Sequence, residues 1–77
     1  MTPDQCTAAR ELLGWTLQEL AFKSGVGTAP VLMLEVGHAT LRPETLAKLK
    51  ATLVAAGVDF SGPEVLLSGS VNLDGVR

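Results

Sequence analysis

Two short motifs fix where this chain starts its first helices. "TPDQ" at residues 2–5 and "TLQE" at residues 16–19 each set a threonine three positions before a glutamine or glutamate. That spacing is a capping box: the hydroxyl accepts from the third helical amide while the longer side chain reaches back to the threonine's own N–H. Gly14 lies between the two boxes and supplies a stop for the first helix, which therefore covers about Pro3 to Leu13. The chain opens as short helices joined by tight turns.

Helical periodicity carries this reading forward. Ala8, Ala9, Leu12 and Leu13 recur at helical spacing and predict a buried face, with Asp4, Arg10 and Glu11 outward. Trp15 closes the turn as a core plug. The second helix, capped by Thr16, carries Leu17, Leu20 and Ala21 inward and ends near Lys23. In "SGVGT" (residues 24–28) Gly25 takes positive φ at no steric cost, and Thr28 is expected to cap a third helix running roughly from Ala29 to Val36 and ended by Gly37. Pro30 is tolerated in its first turn. A fourth helix begins at Pro43, turns Leu46, Leu49 and Leu53 inward and Lys48 and Lys50 away, and ends at Gly57. Beyond Gly57 the period becomes that of strands: "VDF" and "EVLLSGSVNL" alternate, with Ser-Gly as a hairpin turn.

Size and charge limit the function. A domain of 77 residues buries only about 60% of the surface its unfolded chain exposes. Six Lys and Arg against eight Asp and Glu give a net charge of −2, so a nucleic-acid role must rest on a local patch. One cysteine, Cys6, makes no intramolecular disulfide. No charged segment followed by an apolar one opens the chain, so a cytoplasmic setting is expected, nucleoid-associated if DNA is bound. No apolar run approaches the roughly 20 residues that span a bilayer. One His and one Cys, with no metal-ligand spacing and no phosphate-cradling glycine loop, predict no catalytic residues, no metal and no cofactor. Cys6 reads as a small buried hydrophobe.

The stretch "TLQELAFKSGVGTAPVLMLEVGHATLRPETL" resembles the helix-turn-helix family of the xenobiotic-response-element (XRE) or phage Cro/repressor type. Leu20, Ala21, Gly25, Val26, Val31, Leu34, Glu35, Gly37, Pro43 and Leu46 fall at the family's places. With "AARELLGW" upstream the likeness covers about the first 57 residues. It implies a mainly α, lambda-repressor-like domain of about four helices over residues 1–57, followed by the short β-hairpin within a tail of residues 58–77. It also implies a regulator of transcription whose third helix enters the major groove of double-stranded DNA by its N-terminal end. Carried over, the groove-facing positions are Thr28, Ala29 and Met33, with Gly27 near the backbone. None is Arg, Lys, Asn or Gln, the types that make bidentate base contacts. Thr28 still offers a hydroxyl, and Ala29 and Met33 suit thymine methyl groups. Leu17 stands where the family has a phosphate-bonding Gln, with Gln18 displaced by one position, about 100° round the helix. Lys23, His38 and Arg42 are the expected phosphate contacts, which gives a salt slope of roughly −2 to −3.

A second reading of the same helix stands beside the first. Leu32, Met33 and Val36 form an apolar run where relatives have polar residues, which suits docking to a protein partner, so that the chain acts as an adaptor or antagonist with weak or no DNA binding. The tail adds a further expectation. Val58 with Phe60, Val65 with Leu67 and Val71 with Leu73 each share a strand face. Because an isolated hairpin is marginal in water, these six are expected to hold a homodimer.

Overall fold

The computed structural model describes residues 1–38, 40–62 and 64–67. Among them four helices, α1 (Pro3–Leu12), α2 (Leu17–Ser24), α3 (Thr28–Glu35) and α4 (Pro43–Ala55), precede two short strands, β1 (Val58–Asp59) and β2 (Leu66–Leu67). The class is the one the sequence predicts: mainly helical, with a two-stranded antiparallel pair near the C-terminus.

Both capping boxes close. Thr2 Oγ1 accepts from the Gln5 N–H at 3.1 Å and Gln5 Oε1 accepts from the Thr2 N–H at 2.8 Å. Thr16 and Glu19 make the same exchange at 3.1 and 2.7 Å. Each box satisfies two amides that a helix start leaves without intrahelical partners. The far end of α1 comes one residue earlier than expected and is a Schellman closure: the Trp15 N–H donates to the Arg10 carbonyl at 3.1 Å and the Gly14 N–H to the Glu11 carbonyl at 3.0 Å. Only a left-handed residue at the glycine position allows this pair of bonds, and Gly14 has φ +70°.

The core draws on every helix. Cys6 and Ala9 of α1, Leu20 and Ala21 of α2, Val26 of the following turn, Val31 and Leu34 of α3, Leu49 and Leu53 of α4 and Val58 of β1 are buried together. Trp15, Leu13, Leu17 and Leu46 pack against this cluster from partly exposed positions, so Trp15 plugs the core as expected. On α1 the buried face is shifted from the one predicted. Cys6 and Ala9, three positions apart, take the innermost places, while Leu12 is exposed. Arg10 is not outward either; it is drawn onto α3 by an ion pair described below.

The tail folds back on this core. β1 and β2 run antiparallel with Val58 opposite Leu67 and Asp59 opposite Leu66, and Asp59 Oδ1 pins the connection by accepting the Ser61 N–H at 2.8 Å. Val58 is fully engaged in the chain's own interior, and Phe60, Val65 and Leu67 pack beside it. Burying a valine is worth about 1.5–3 kcal/mol. Of the six side chains expected at a dimer seam, Val58 is buried within the chain and Phe60, Val65 and Leu67 are partly buried against its core. The Ser-Gly-Ser turn at 68–70, Val71 and Leu73 lie outside the described residues.

Candidate nucleic-acid interface

The α2–α3 pair is held rigidly by small devices in its turn. Ala21 is buried on the side of α2 that meets its neighbours, where a larger side chain would push the helices apart. Gly25 caps α2 in the left-handed conformation at φ 75° and returns its N–H to the Phe22 carbonyl. Ser24 Oγ donates to the Ala21 carbonyl and accepts from the Val26 N–H, both at 3.2 Å, and Val26 turns into the core.

From there α3 begins one residue earlier than the sequence reading placed it. Thr28 is the first helical residue rather than the cap, and Gly27 holds the cap position with no side-chain hydrogen bond. The reason is geometric: the Val31 N–H donates to the Gly27 carbonyl at 3.3 Å, which already draws Thr28 into the first turn. A Cβ added at Gly27 would lie 3.3 Å from Pro30 Cδ, so the proline ring crowds the place where a capping side chain would attach. The N-terminal amides of α3 consequently face outward without a side-chain acceptor, a setting that suits a phosphate oxygen.

The other end of α3 is clamped to α1. Arg10 Nε donates to Glu35 Oε2 and Arg10 Nη2 to Glu35 Oε1, both at 2.9 Å. Arg10 Nη1 adds a bond of 3.0 Å to the Trp15 carbonyl, and the Cys6 thiol points at Glu35 Oε2 from 3.6 Å. Burial, followed by the negative charge of Glu35 and the hydrogen bond to it, pushes the Cys6 thiol up to about 12. The hydrogen bond to Glu35 likewise raises Arg10 above its ordinary value. Gly37 and His38 close α3 with a second Schellman pair, His38 N–H to the Met33 carbonyl at 2.9 Å and Gly37 N–H to the Leu34 carbonyl at 3.0 Å.

With Val31 and Leu34 buried, α3 turns its other face to solvent. Thr28, Ala29, Pro30, Leu32, Met33 and Val36 are all exposed. Ala29 and Val36 lie opposite the buried pair, with Leu32 and Met33 on either side of them, since each residue advances about 100°. Within residues 28–36 only Thr28 and Glu35 carry polar side-chain atoms, and Glu35 is committed to Arg10. Thr28 is thus the one polar side chain this face presents.

The three expected phosphate contacts lie on separate elements. Lys23 is in the last turn of α2, where its Nζ sits 5.2 Å from the centroid of the Trp15 ring. His38 is exposed directly after α3, and Arg42 is exposed at the N-cap of α4. Leu17 packs against the core while Gln18 is exposed, so the amide at the start of α2 is turned to solvent. Sequence reading passed over two features. One is the Arg10–Glu35 clamp, which joins residues too far apart for any local pattern. The other is Phe22, which is 88% exposed on α2; it lies two positions, about 200° round the helix, from Leu20, and that offset was visible in the sequence. Among the described residues no group of His, Cys, Asp or Glu is placed to hold a metal ion, and no helix is long and apolar enough to cross a membrane.

A helix-turn-helix family model matches residues 8–53, from within α1 into the last turns of α4. The chain belongs to the XRE-type helix-turn-helix family. Membership makes α2 and α3 the helix-turn-helix pair. No curated protein matches the chain. In this XRE-type domain the exposed side of α3 is mostly apolar.

Proposed function

We propose that this XRE-type chain is a sequence-specific DNA-binding regulator of transcription that inserts α3 into the major groove of double-stranded DNA. One observation carries the reading: the family's reading helix is anchored on its inner side by Val31, Leu34 and the Glu35 clamp, while Thr28, Ala29 and Met33 stand exposed on the outer side. Gly27 lets the backbone come close to a phosphate, and Lys23, His38 and Arg42 supply the positive charge. The setting is cytoplasmic, at the nucleoid. Such a protein binds one duplex sequence tightly and loses affinity as salt rises. The test is a titration of the full chain against duplex from its own promoter region and against random duplex, each at two salt concentrations. Equal affinity for the two duplexes at low salt would overturn sequence specificity.

Homodimerisation belongs to this proposal because paired reading helices reach half-sites about 34–36 Å apart. The proposed seam is the tail's apolar set, Val58, Phe60, Val65, Leu67, Val71 and Leu73, of which Phe60, Val65 and Leu67 keep part of their surface open to solvent. Sedimentation of the full chain at rising concentration tests it, and a constant monomer mass would overturn it.

A second reading is favoured by a specific observation, the exposure of Phe22 together with Leu32, Met33 and Val36. Apolar surface of this kind suits a protein partner. In that case the chain acts as an adaptor or antagonist, and promoter duplex is bound no better than random DNA.

A further inference from the structure

Resting on the DNA-binding reading, we propose that α3 reads the C5-methyl groups of pyrimidines in the major groove, so that its target is defined by methyl positions rather than by hydrogen-bonded purine edges. The major groove offers acceptors and donors on every base pair, and on thymine a methyl group as well. Reading guanine or adenine edges takes Arg, Lys, Asn or Gln, and residues 28–36 contain none of these. The outward side chains of Ala29, Leu32, Met33 and Val36 are wholly aliphatic or thioether in character, and all four are exposed. Placed in the groove, those side chains would strip water from base-edge acceptors without replacing the lost hydrogen bonds, which is a net cost. Against a methyl group the same side chains bury apolar surface on both sides, which is a gain. The only bases that turn such a gain are thymine and, where cytosine is modified, 5-methylcytosine. Thr28, at the N-terminal end of α3, adds one hydroxyl to fix register.

Position along the helix supports the assignment. Ala29 has the shortest side chain and lies in the first turn, the end that enters deepest, so its Cβ can approach a methyl closely. Met33, one turn later, is long and flexible enough to reach a methyl from a backbone that has begun to leave the groove.

The test uses the full-length chain and three pools of duplex with a randomised central segment: one made with thymine, one in which deoxyuridine replaces thymine, and one in which 5-methylcytosine replaces cytosine. Uracil differs from thymine only by the missing methyl. Each methyl contact is worth about fourfold in affinity, equivalent to ~0.8 kcal/mol, so two or three contacts give a loss of roughly 15-fold to 60-fold when the enriched thymine site is rebuilt with uracil. Deoxyuridine placed only outside the enriched site should change nothing. The substitution Met33→Ala should shrink the thymine-to-uracil ratio by about fourfold. Loss on uracil assigns thymine as the source of the methyl, and enrichment confined to the third pool assigns 5-methylcytosine. A site bound equally with thymine and uracil, and indifferent to cytosine methylation, overturns the methyl assignment and leaves the DNA-binding reading standing. Failure to enrich any pool overturns both.

Discussion

Arg10 and Glu35 meet in a two-point ion pair, Nε to Oε2 and Nη2 to Oε1, each at 2.9 Å. With side-chain exposures of 16% and 6%, the pair is well shielded from water, and it ties the first helix to the end of α3. Removing one member of such a pair leaves the other desolvated and alone. Glu35→Gln is therefore expected to destabilise the fold by about 3 kcal/mol in urea denaturation. The double replacement Arg10→Met with Glu35→Leu should recover most of that loss, because two apolar side chains leave no stranded charge. A double variant as unstable as the single one would contradict this account of the clamp.

Cys6 gives the fold an alkaline weak point. Its thiol is held up to about 12 in the folded chain, against an ordinary value of 9.0. Between those values the unfolded chain has lost a proton that the folded one keeps, so stability falls as pH rises from about 9 towards 12. The slope from one such proton is at most about 1.4 kcal/mol per pH unit. Denaturation midpoints measured across this range should drop more steeply for the natural chain than for Cys6→Ala. Parallel curves would remove Cys6 from the explanation.

Two glycines should respond in opposite ways to alanine. Gly25 has φ +75° with open space around its missing Cβ, so Gly25→Ala suffers from backbone conformation alone and should cost about 1–2 kcal/mol. Gly62 has equally open space and no positive φ. There alanine narrows the unfolded ensemble, and the change should be neutral or stabilising by up to about 1 kcal/mol. Thermal melts of the two variants provide the check.

Phe22 is 88% exposed, so Phe22→Gln should shift folding stability by less than about 0.5 kcal/mol. A loss of several times that size would mean that the ring is covered in solution, and concentration-dependent melts would then identify self-association as the cover.

For Arg42→Ala, weaker binding to all duplex sequences alike is expected, with a salt slope reduced by about one. Thr28→Ala should instead change which sequence is preferred. Titrations at several salt concentrations separate the two effects, and an unchanged slope for Arg42→Ala would remove it from the phosphate contacts.

What could be read from the chain follows the range of the interactions involved. The capping boxes of Thr2 and Thr16, the stop at Gly14 and the leucine seam of the fourth helix are local, and each is written within a few residues. The start of α3 was misjudged by one position because the decision rests on a backbone bond from Val31 to Gly27, which a threonine in sequence cannot reveal. Arg10 was read as a surface residue because its partner lies 25 positions away. The alternating pattern of the tail predicts an apolar face but not what covers it, and Val58 finds its cover on the chain's own helices. At the candidate interface the reverse held. The apolar character of α3 was legible from residue types alone, and the burial of Val31 and Leu34 now fixes which of those side chains face out.

The crowding between Gly27 and Pro30 imposes an order on how the start of α3 can change. A serine at position 27 would ordinarily improve a helix start, yet here its Cβ meets the proline ring at 3.3 Å, so the benefit is diminished for as long as Pro30 is present. Replacing Pro30 first restores both the space for a cap and an amide at position 30. The two sites are thus epistatic. A capping side chain at position 27 therefore gains most once the proline three residues on has been replaced.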